Sequence, residues 1–293
     1  MNALADKVAI VTGASSGIGH ATALLFAREG ADVIVTGRRE AELDALVAKI
    51  EADGGRAAAI VGDVKDETLA ERLVDAAVTR FGGLDIAFNN AGVTGEVGPV
   101  ADLTVQGWRD TLDTNLTGGF LGAKYQAPAM IQRGGGSIIF TSTFVGHTVG
   151  FPGTAAYAAS KAGLIGLTQA LAVELGTQNV RVNAVVPGGT DTPANVANAP
   201  GAPPEVMNFM RGLHALKRMA RPEEIAQSVL YLASDSSSFV TGAALLVEHD
   251  MDAVFRVADR ITVMVNGQVI ASDLPERIRV DPQVREAYLG DAH

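Results

Sequence analysis

Short apolar runs alternate with longer amphipathic segments along most of this chain. The apolar runs predict β-strands at residues 8–11, 32–36, 57–61, 85–88, 137–141, 180–186 and 243–247. The segments between them predict helices at residues 21–28, 40–52, 67–81, 108–132, 157–176 and 222–233. Continuously apolar strands that alternate with helices are typical of a parallel sheet covered on both faces. The pattern therefore predicts an α/β fold, whose ligands bind beyond the carboxyl ends of the strands.

Glycine and polar residues follow the ends of these predicted strands. They are Thr12-Gly13, Gly37-Arg38, Asp63, Asn89, Thr143 and Pro187-Gly188. Because the carboxyl ends of parallel strands meet at one edge of a sheet, we expect a single site there. Residues 190–217, rich in Pro and Ala, continue from that edge. They predict a mobile lid over a substrate pocket, with an ordinary surface loop as the alternative.

Composition narrows the function further. The 293 residues are 47% hydrophobic and carry a formal net charge of −10, which argues against nucleic-acid or anionic-membrane partners. The absence of cysteine excludes disulfides and thiolate catalysis. The first residues lack the basic and apolar regions of a secretion signal, and no apolar run reaches the ~18 residues that span a bilayer. We therefore expect a cytoplasmic protein without a catalytic metal.

A glycine-rich turn follows the first predicted strand. The spacing Thr12-Gly13-x-x-x-Gly17-x-Gly19 lets the backbone turn tightly and approach a pyrophosphate at a helix N-terminus. The spacing differs from the commoner G-x-G-x-x-G and from a Walker A loop. The alternative is a purely structural turn.

The second and third strands end in charged residues. Arg38 and Arg39 follow Gly37, where an acidic residue would favour NAD, and an arginine there can accept a 2′-phosphate. The pair therefore favours NADP, with NAD as the alternative; Arg38 could instead stack on adenine, or the pair could begin a solvated helix. Asp63 is a candidate acceptor for the adenine amine, or otherwise a helix N-cap.

Tyr157 and Lys161 are four residues apart and share one face of a predicted helix. A phenol is a poor base at neutral pH, but a nearby ammonium favours the phenolate and lowers its pKa. The pair suits general acid–base catalysis at a carbonyl or alcohol. An exposed helical pair without function is the alternative for this common spacing.

Taken together, these motifs resemble the short-chain dehydrogenase/reductase family over residues 4–247. The matching residues are the glycine turn, Asn89-Asn90-Ala91-Gly92, Asn115, Tyr157-Ala-Ala-Ser160-Lys161 and Pro187-Gly188. The resemblance implies a Rossmann-type, doubly wound, seven-stranded parallel sheet. It also implies a homo-oligomer, either a tetramer or a dimer.

The resemblance assigns roles to individual residues. Tyr157 would be the general acid/base, Lys161 would hold the nicotinamide ribose and lower the tyrosine pKa, and Asn115 would position a water. The complete predicted cofactor set is Thr12, Gly13, Ser15, Ser16, Gly17, Ile18, Gly19, Arg38, Arg39, Asp63, Val64, Asn89, Ala91, Gly92, Tyr157, Lys161, Pro187, Gly188, Thr190 and Thr192.

The chain departs from the family at the hydroxyl that orients the substrate. The family has Ser about 13 residues before the tyrosine, where this chain has Phe144. Counting forward from Gly136 places Thr143 at the catalytic position, with Ser142 as its rival. Neighbouring residues of an extended segment face opposite sides, so we expect only one of them to face the substrate. His147 is expected to line the site, with a second acid/base role as the alternative.

The last residues follow a different pattern. Residues 245–290 resemble the C-terminal end of branched-chain amino-acid ABC-transporter ATPases, through Leu-Leu-Val-Glu-His-Asp-Met, residues 258–264, Asn266-Gly267 and residues 284–290. The chain has no Walker A loop and no Leu-Ser-Gly-Gly-Gln signature, so His249 has no γ-phosphate to sense. Apolar residues 261–265 and 268–271 predict a hairpin, and residues 275–289 a short helix. We interpret the chain as a chimera: a catalytic domain at 1–247 and an inert α+β tail at 248–293.

Two functional hypotheses follow. The first is an oxidoreductase that transfers hydride between a nicotinamide cofactor and a small secondary alcohol or ketone. The second is a catalytically weakened dehydrogenase fold that serves as a binding or scaffold protein.

Overall fold

The computed structural model describes residues 2–199, 201–247, 260–265 and 268–284. Its main sheet is parallel throughout and has the order β3-β2-β1-β4-β5-β6-β7. These strands are β1 Val8–Thr12, β2 Asp32–Gly37, β3 Arg56–Val61, β4 Ile86–Asn89, β5 Gly136–Thr141, β6 Val180–Pro187 and β7 Ala244–Val247. The predicted Rossmann-type, seven-stranded sheet is confirmed.

Helices follow the strands in the predicted alternation. They are α1 Gly17–Arg28, α2 Glu40–Ala52, α3 Glu67–Phe81, α4 Val105–Leu112, α5 Gly118–Arg133, α6 Ala155–Leu175, α7 Pro204–Gly212 and α8 Pro222–Ala233. The first of them begins at Gly17, earlier than the predicted residue 21, because the glycine turn itself supplies the first helical residues. No helix of the described residues is long and apolar enough to cross a membrane.

The sheet is buried on both faces, as its apolar strands predict. Along β1, Ala9 and Val11 contact a core shared with α1, α2 and α8. Val8 and Ile10 point the other way, into a core shared with α3, α5 and α6. The strand order reverses between β1 and β4. The chain passes from these two strands to helices on opposite faces of the sheet, α1 and α5, and a cleft lies at the carboxyl edge there.

The segment predicted as one long helix at 108–132 is helical throughout but is not a uniform α-helix. The segment instead contains α4, a π-helical turn at Asp113–Thr117 and α5, which continues through Pro128. A π turn inserts an extra residue into the helical ladder and often marks a functional site. Here it carries the buried side chain of Asn115.

Residues after the main sheet form a small α+β unit. Strand β8, Ile261–Val265, pairs antiparallel with β9, Gln268–Asp273, so the two predicted hairpin strands are confirmed. The turn at residues 266–267 lies outside the described residues. The unit has its own apolar core of Ile261, Val263, Ile278 and Val284.

The helix predicted at 275–289 is wrong for its described part. Two short helices, α9 Pro275–Ile278 and α10 Pro282–Val284, take its place. Pro282 explains the break, because proline disfavours helical backbone at the residue before it. Residues 285–289 lie outside the described residues.

Candidate active site

The glycine turn after β1 forms the floor of the cleft. Gly13 and Gly17 have φ angles of 67° and 58°, in the left-handed region that favours glycine. A Cβ on Gly19 would collide with the carbonyl oxygen of Gly13 and lie 2.8 Å from Nδ2 of Asn90. The side chain of Ser16, the residue that precedes α1, makes no capping hydrogen bond to the helix. The turn therefore presents open backbone and a helix N-terminus, a combination that suits a pyrophosphate.

Thr12 holds this turn against the loop after β4. Its Oγ1 accepts hydrogen bonds from the backbone N of Asn90 at 2.9 Å and of Ala91 at 3.0 Å. Thr12 itself is buried and is not among the residues that line the cleft. The predicted cofactor contact at this position is better described as a structural tie between two loops.

The structure exchanges the roles expected of two neighbouring asparagines. The side chain of Asn89 forms a reciprocal pair with Gln126, at 2.8 and 3.0 Å, on the α5 side of the sheet, and does not line the cleft. The next residue, Asn90, lines the cleft, donates to Thr12 O at 3.1 Å and accepts from Thr141 Oγ1 at 3.1 Å. Successive strand residues face opposite sides, and the register places Asn90, not the predicted Asn89, toward the cleft.

The part of the cleft beside the glycine turn, hereafter the cofactor part, encloses about 530 Å³. Its lining includes these predicted cofactor residues: Gly13, Ser15, Ser16, Gly17, Ile18, Arg38, Arg39, Asp63, Val64, Ala91, Gly92 and Thr192. Nη2 of Arg39 donates to Oγ of Ser15 at 3.0 Å and of Ser16 at 2.8 Å, which places a cation beside the glycine turn. Asp63 accepts from Lys65 N at 3.1 Å, whereas the N-cap of α3 is Asp66, so the N-cap alternative for Asp63 is wrong.

The part of the cleft beside α6 and α7, hereafter the substrate part, encloses about 470 Å³. It is lined by four of the five predicted catalytic residues, Ser142, Thr143, Tyr157 and Lys161, and Asn115 is not among its lining residues. Tyr157 lies in the first turn of α6, and the hydroxyl of Thr143 lies within hydrogen-bonding reach of its phenol. Burial raises the pKa of Tyr157, and the hydrogen bond from Thr143 opposes that rise. A donor to the phenolate is what an orienting hydroxyl provides.

Ser142 has a different partner. Its Oγ donates to the backbone O of Lys161 at 2.8 Å and so fastens β5 to α6. Nζ of Lys161 donates to Thr141 O at 2.8 Å, and burial lowers the pKa of this lysine to about 8. The ammonium form therefore still predominates at neutral pH, held beside the tyrosine by its position one helical turn away.

Asn115 lies in the π-helical turn, and its side chain makes three hydrogen bonds to residues outside that turn. Its Oδ1 accepts from Val93 N at 2.7 Å, and its Nδ2 donates to Val93 O at 2.8 Å and to Ser160 Oγ at 2.9 Å. A Cβ on Gly92 would lie 3.0 Å from Lys161 Nζ and 3.1 Å from Asn115 Oδ1. The glycine therefore lets two polar groups approach the same backbone position.

Residues from the predicted lid segment close one side of the substrate part. Pro187, Gly188, Thr190 and Thr192, which were predicted as cofactor contacts, line this part, and only Thr192 also lines the cofactor part. The same segment adds five side chains that the sequence did not single out: Ala194, Asn195, Val206, Phe209 and Met210. His147 is exposed and is not among the lining residues, so its expected place in the site is wrong.

Comparisons with known proteins identify the family. A family model described as enoyl-(acyl carrier protein) reductase matches residues 13–249. A short-chain type dehydrogenase/reductase from Mycobacterium marinum superimposes with a TM-score of 0.78 at 38% identity, over 83% of this chain and 94% of that one. The chain belongs to the short-chain dehydrogenase/reductase family.

Other family members give the type of reaction. Cyclohexanol dehydrogenase of Acinetobacter sp. (strain SE19) is 40% identical over 84% of this chain and 95% of its own length. Cis-4-hydroxycyclohexanecarboxylate dehydrogenase of Sinomonas cyclohexanicum is 40% identical over 86% of this chain and 99% of its own. These relatives support an oxidoreductase that acts on CH–OH or C=O groups, in a family that uses nicotinamide cofactors.

A second family model matches the end of the chain. Residues 268–293 match the model described as branched-chain amino acid ATP-binding cassette transporter. The match is short and begins after the dehydrogenase match ends at residue 249. It agrees with the resemblance inferred from the sequence for that part of the tail.

Proposed function

We propose that this protein interconverts a secondary alcohol and its ketone, with NADP(H) as the cofactor and Tyr157 as the general acid/base. The observation that carries the proposal is the convergence of Tyr157, Thr143 and Lys161 in a mainly apolar pocket continuous with the glycine turn. The alcohols named for the relatives support a substrate of this chemical type.

In the direction of oxidation, the substrate hydroxyl donates its proton to the Tyr157 phenolate. The Thr143 hydroxyl hydrogen-bonds the reacting oxygen and the phenol, and so holds the two oxygens together. A nicotinamide dinucleotide in the cleft supplies the acceptor for the hydride that leaves the carbinol carbon. The Lys161 ammonium favours the phenolate electrostatically, and its low pKa reflects the cost of keeping that charge buried.

Asn115 is a positioning residue in this mechanism. Its hydrogen bonds to Val93 and Ser160 fix the loop after β4 relative to α6. We propose that a water beside its Oδ1 and Lys161 Nζ continues the proton path toward solvent, because both atoms flank Gly92.

Arginine placement supports NADP over NAD. Arg38 and Arg39 both line the cofactor part, and Arg39 lies on two serines of the glycine turn. A guanidinium there can pair with a ribose 2′-phosphate through several hydrogen bonds. The neutral Gly37 at the end of β2 contributes no carboxylate that would favour NAD.

Turnover assays test the proposal. The protein is mixed with NADPH and a panel of neutral ketones, and oxidation of the cofactor is followed by its absorbance. Tyr157→Phe removes only the phenolic oxygen and should reduce kcat by about 10³-fold, within the usual range for general acid–base catalysis, with cofactor binding retained. Cofactor binding without turnover by the unmodified protein would favour the alternative, a weakened dehydrogenase fold that serves in binding.

We also propose a homo-oligomer, dimer or tetramer. Large apolar side chains are exposed on α4, α5 and α6, including Trp108, Phe120 and Val173. Such exposure often marks a subunit interface. Light scattering coupled to size-exclusion chromatography measures the assembly, and a monomeric mass would contradict this part of the proposal.

A further inference from the structure

The substrate part of the cleft has an aromatic wall built from three segments of the chain. Phe144 lies just after β5, Phe151 lies in the loop before α6, and Phe209 lies on α7. The Phe151 ring meets the Phe144 ring edge-on at 5.8 Å and the Phe209 ring at 6.3 Å between centroids. Rings in this arrangement stabilise one another and leave apolar faces for a ligand.

Apart from Lys161, the remaining lining is apolar or neutral. The other large apolar side chains are Ile18, Val93, Val97, Val145, Val206 and Met210. The polar lining consists of hydroxyl groups, Asn90, Asn195 and Lys161. Among the described lining residues, Lys161 is the sole cation, and none is a carboxylate. Because Lys161 lies beside Tyr157 and donates to Thr141 O, its charge belongs to the reacting end of the pocket.

Two basic residues that follow α7 make contacts away from the cleft. Nζ of Lys217 donates to Gly212 O at 3.2 Å. The guanidinium of Arg218 forms a two-pronged contact with Glu224 at 2.7 and 2.8 Å. Neither cation lines the cleft, so a substrate carboxylate at the aromatic wall would find no partner among them.

Phe209 stands at the entrance of this wall. It is 57% exposed although its ring contacts Phe151. Exposure of a large aromatic side chain to water is unfavourable. A bound apolar ligand that covers the side chain removes this cost. Phe209 lies on the lid segment and lines the pocket, so a ligand that fills the pocket would bury its side chain.

We propose that the substrate is an uncharged secondary alcohol or ketone on a hydrocarbon ring, which packs against the pocket-facing sides of Phe151 and Phe209 while its oxygen meets Tyr157 and Thr143. This inference rests on the proposed function and adds the charge and shape of the substrate. A ring substituent that carries a carboxylate is rejected, because burial of an unpaired charge costs far more than the apolar contacts return.

Three probe alcohols test the inference: 4-methylcyclohexanol, 4-hydroxycyclohexanecarboxylate and 2-butanol. The first two share a ring and differ in charge at one substituent. We expect kcat/KM for the neutral ring to exceed that for the carboxylate by about 100-fold or more, with 2-butanol as a slow substrate that reports on the chemistry alone. A carboxylate turned over within about tenfold of the neutral ring, or a neutral ring no better than 2-butanol, would overturn the substrate class alone. If none of the three alcohols were turned over, both the inferred substrate class and the proposed function would be overturned.

Variants of the aromatic wall test whether its side chains cause the preference for the neutral ring. Phe209→Ala should raise KM for 4-methylcyclohexanol by about tenfold with kcat little changed, and should leave 2-butanol unaffected. Phe239→Ala is the matched control, because Phe239 is fully exposed and is not among the residues lining the cleft. Phe209→Arg should improve kcat/KM for the carboxylate by about tenfold. Equal effects of Phe209→Ala and Phe239→Ala on 4-methylcyclohexanol, or loss of all three activities in Phe209→Arg with the carboxylate unimproved, would overturn the inference.

Discussion

The cofactor part and the substrate part of the cleft are formed by different kinds of groups. The cofactor part is formed by turns that immediately follow strands, with glycines at Gly13 and Gly17 and no aromatic side chain among its lining residues. The substrate part is walled by aromatic and aliphatic side chains from segments that are far apart in the chain. Backbone shape therefore determines the first, and side-chain packing determines the second. One fold can keep its chemistry and change its substrate by exchanging only the second set.

Substitution of Gly19 tests whether backbone shape determines the cofactor part. Gly19→Ala places a methyl group against the Gly13 carbonyl and Asn90, so we expect about 2 kcal/mol lower stability and at least about 100-fold weaker cofactor binding. Thermal unfolding and cofactor titration measure the two effects. Gly166→Ala is the matched control, because a Cβ on this helical glycine meets nothing within 4 Å. If Gly19→Ala retained its cofactor affinity, backbone shape would not be what determines the cofactor part.

The hydroxyl pair tests where the two parts meet. Thr143→Val removes the hydrogen bond that lowers the Tyr157 pKa, so that pKa rises further. Oxidation needs the phenolate, and the rate–pH profile should therefore shift to higher pH, with kcat/KM about 30-fold lower near neutrality.

Ser142→Ala serves as the counterpart. It removes a bond to the Lys161 carbonyl, which should cost about 1 kcal/mol of stability without moving the profile. A shifted profile in Ser142→Ala and an unshifted one in Thr143→Val would reverse the assignment of the two residues.

Substitution of Arg39 tests the polar contacts of the cofactor part. Arg39→Ala should weaken NADPH binding by about tenfold and leave NADH binding nearly unchanged, because only NADPH carries the 2′-phosphate. Isothermal titration with both cofactors gives the ratio. Arg72→Ala, at an exposed arginine of α3 that is not among the cleft-lining residues, is the control. An equal loss for both cofactors would show that Arg39 acts on the shared part of the dinucleotide.

The smallest effect is expected from the tail. Deletion of residues 249–293 should leave kcat and KM within about twofold, because the catalytic residues and the described cleft lining precede residue 248. Steady-state kinetics with the neutral ring alcohol measures this, and thermal unfolding checks that the deleted protein remains folded. Loss of activity in a folded protein would show that the tail takes part in catalysis.

The sequence predicted the sheet and the catalytic motifs better than it predicted the substrate part. Apolar runs and strand-end glycines are local signals, so β1 and its turn were read directly. Asn89 and Asn90 were not distinguished, because register decides which of two adjacent side chains faces the cleft. Phe151 and Phe209 meet only in the folded chain, 58 positions apart in the sequence. The π turn at Asn115 was missed because one added residue barely alters helical periodicity.

The hydrogen bond from Gly188 N to Val247 O, at 3.1 Å, has a consequence for anything joined to this domain. Gly188 lines the cleft, so the last strand of the main sheet ends beside the reaction site. A second enzyme fused after Val247 through a short linker would share this edge of the molecule. Product released from the cleft would then meet its next catalyst at a high effective concentration, without diffusing through bulk solvent.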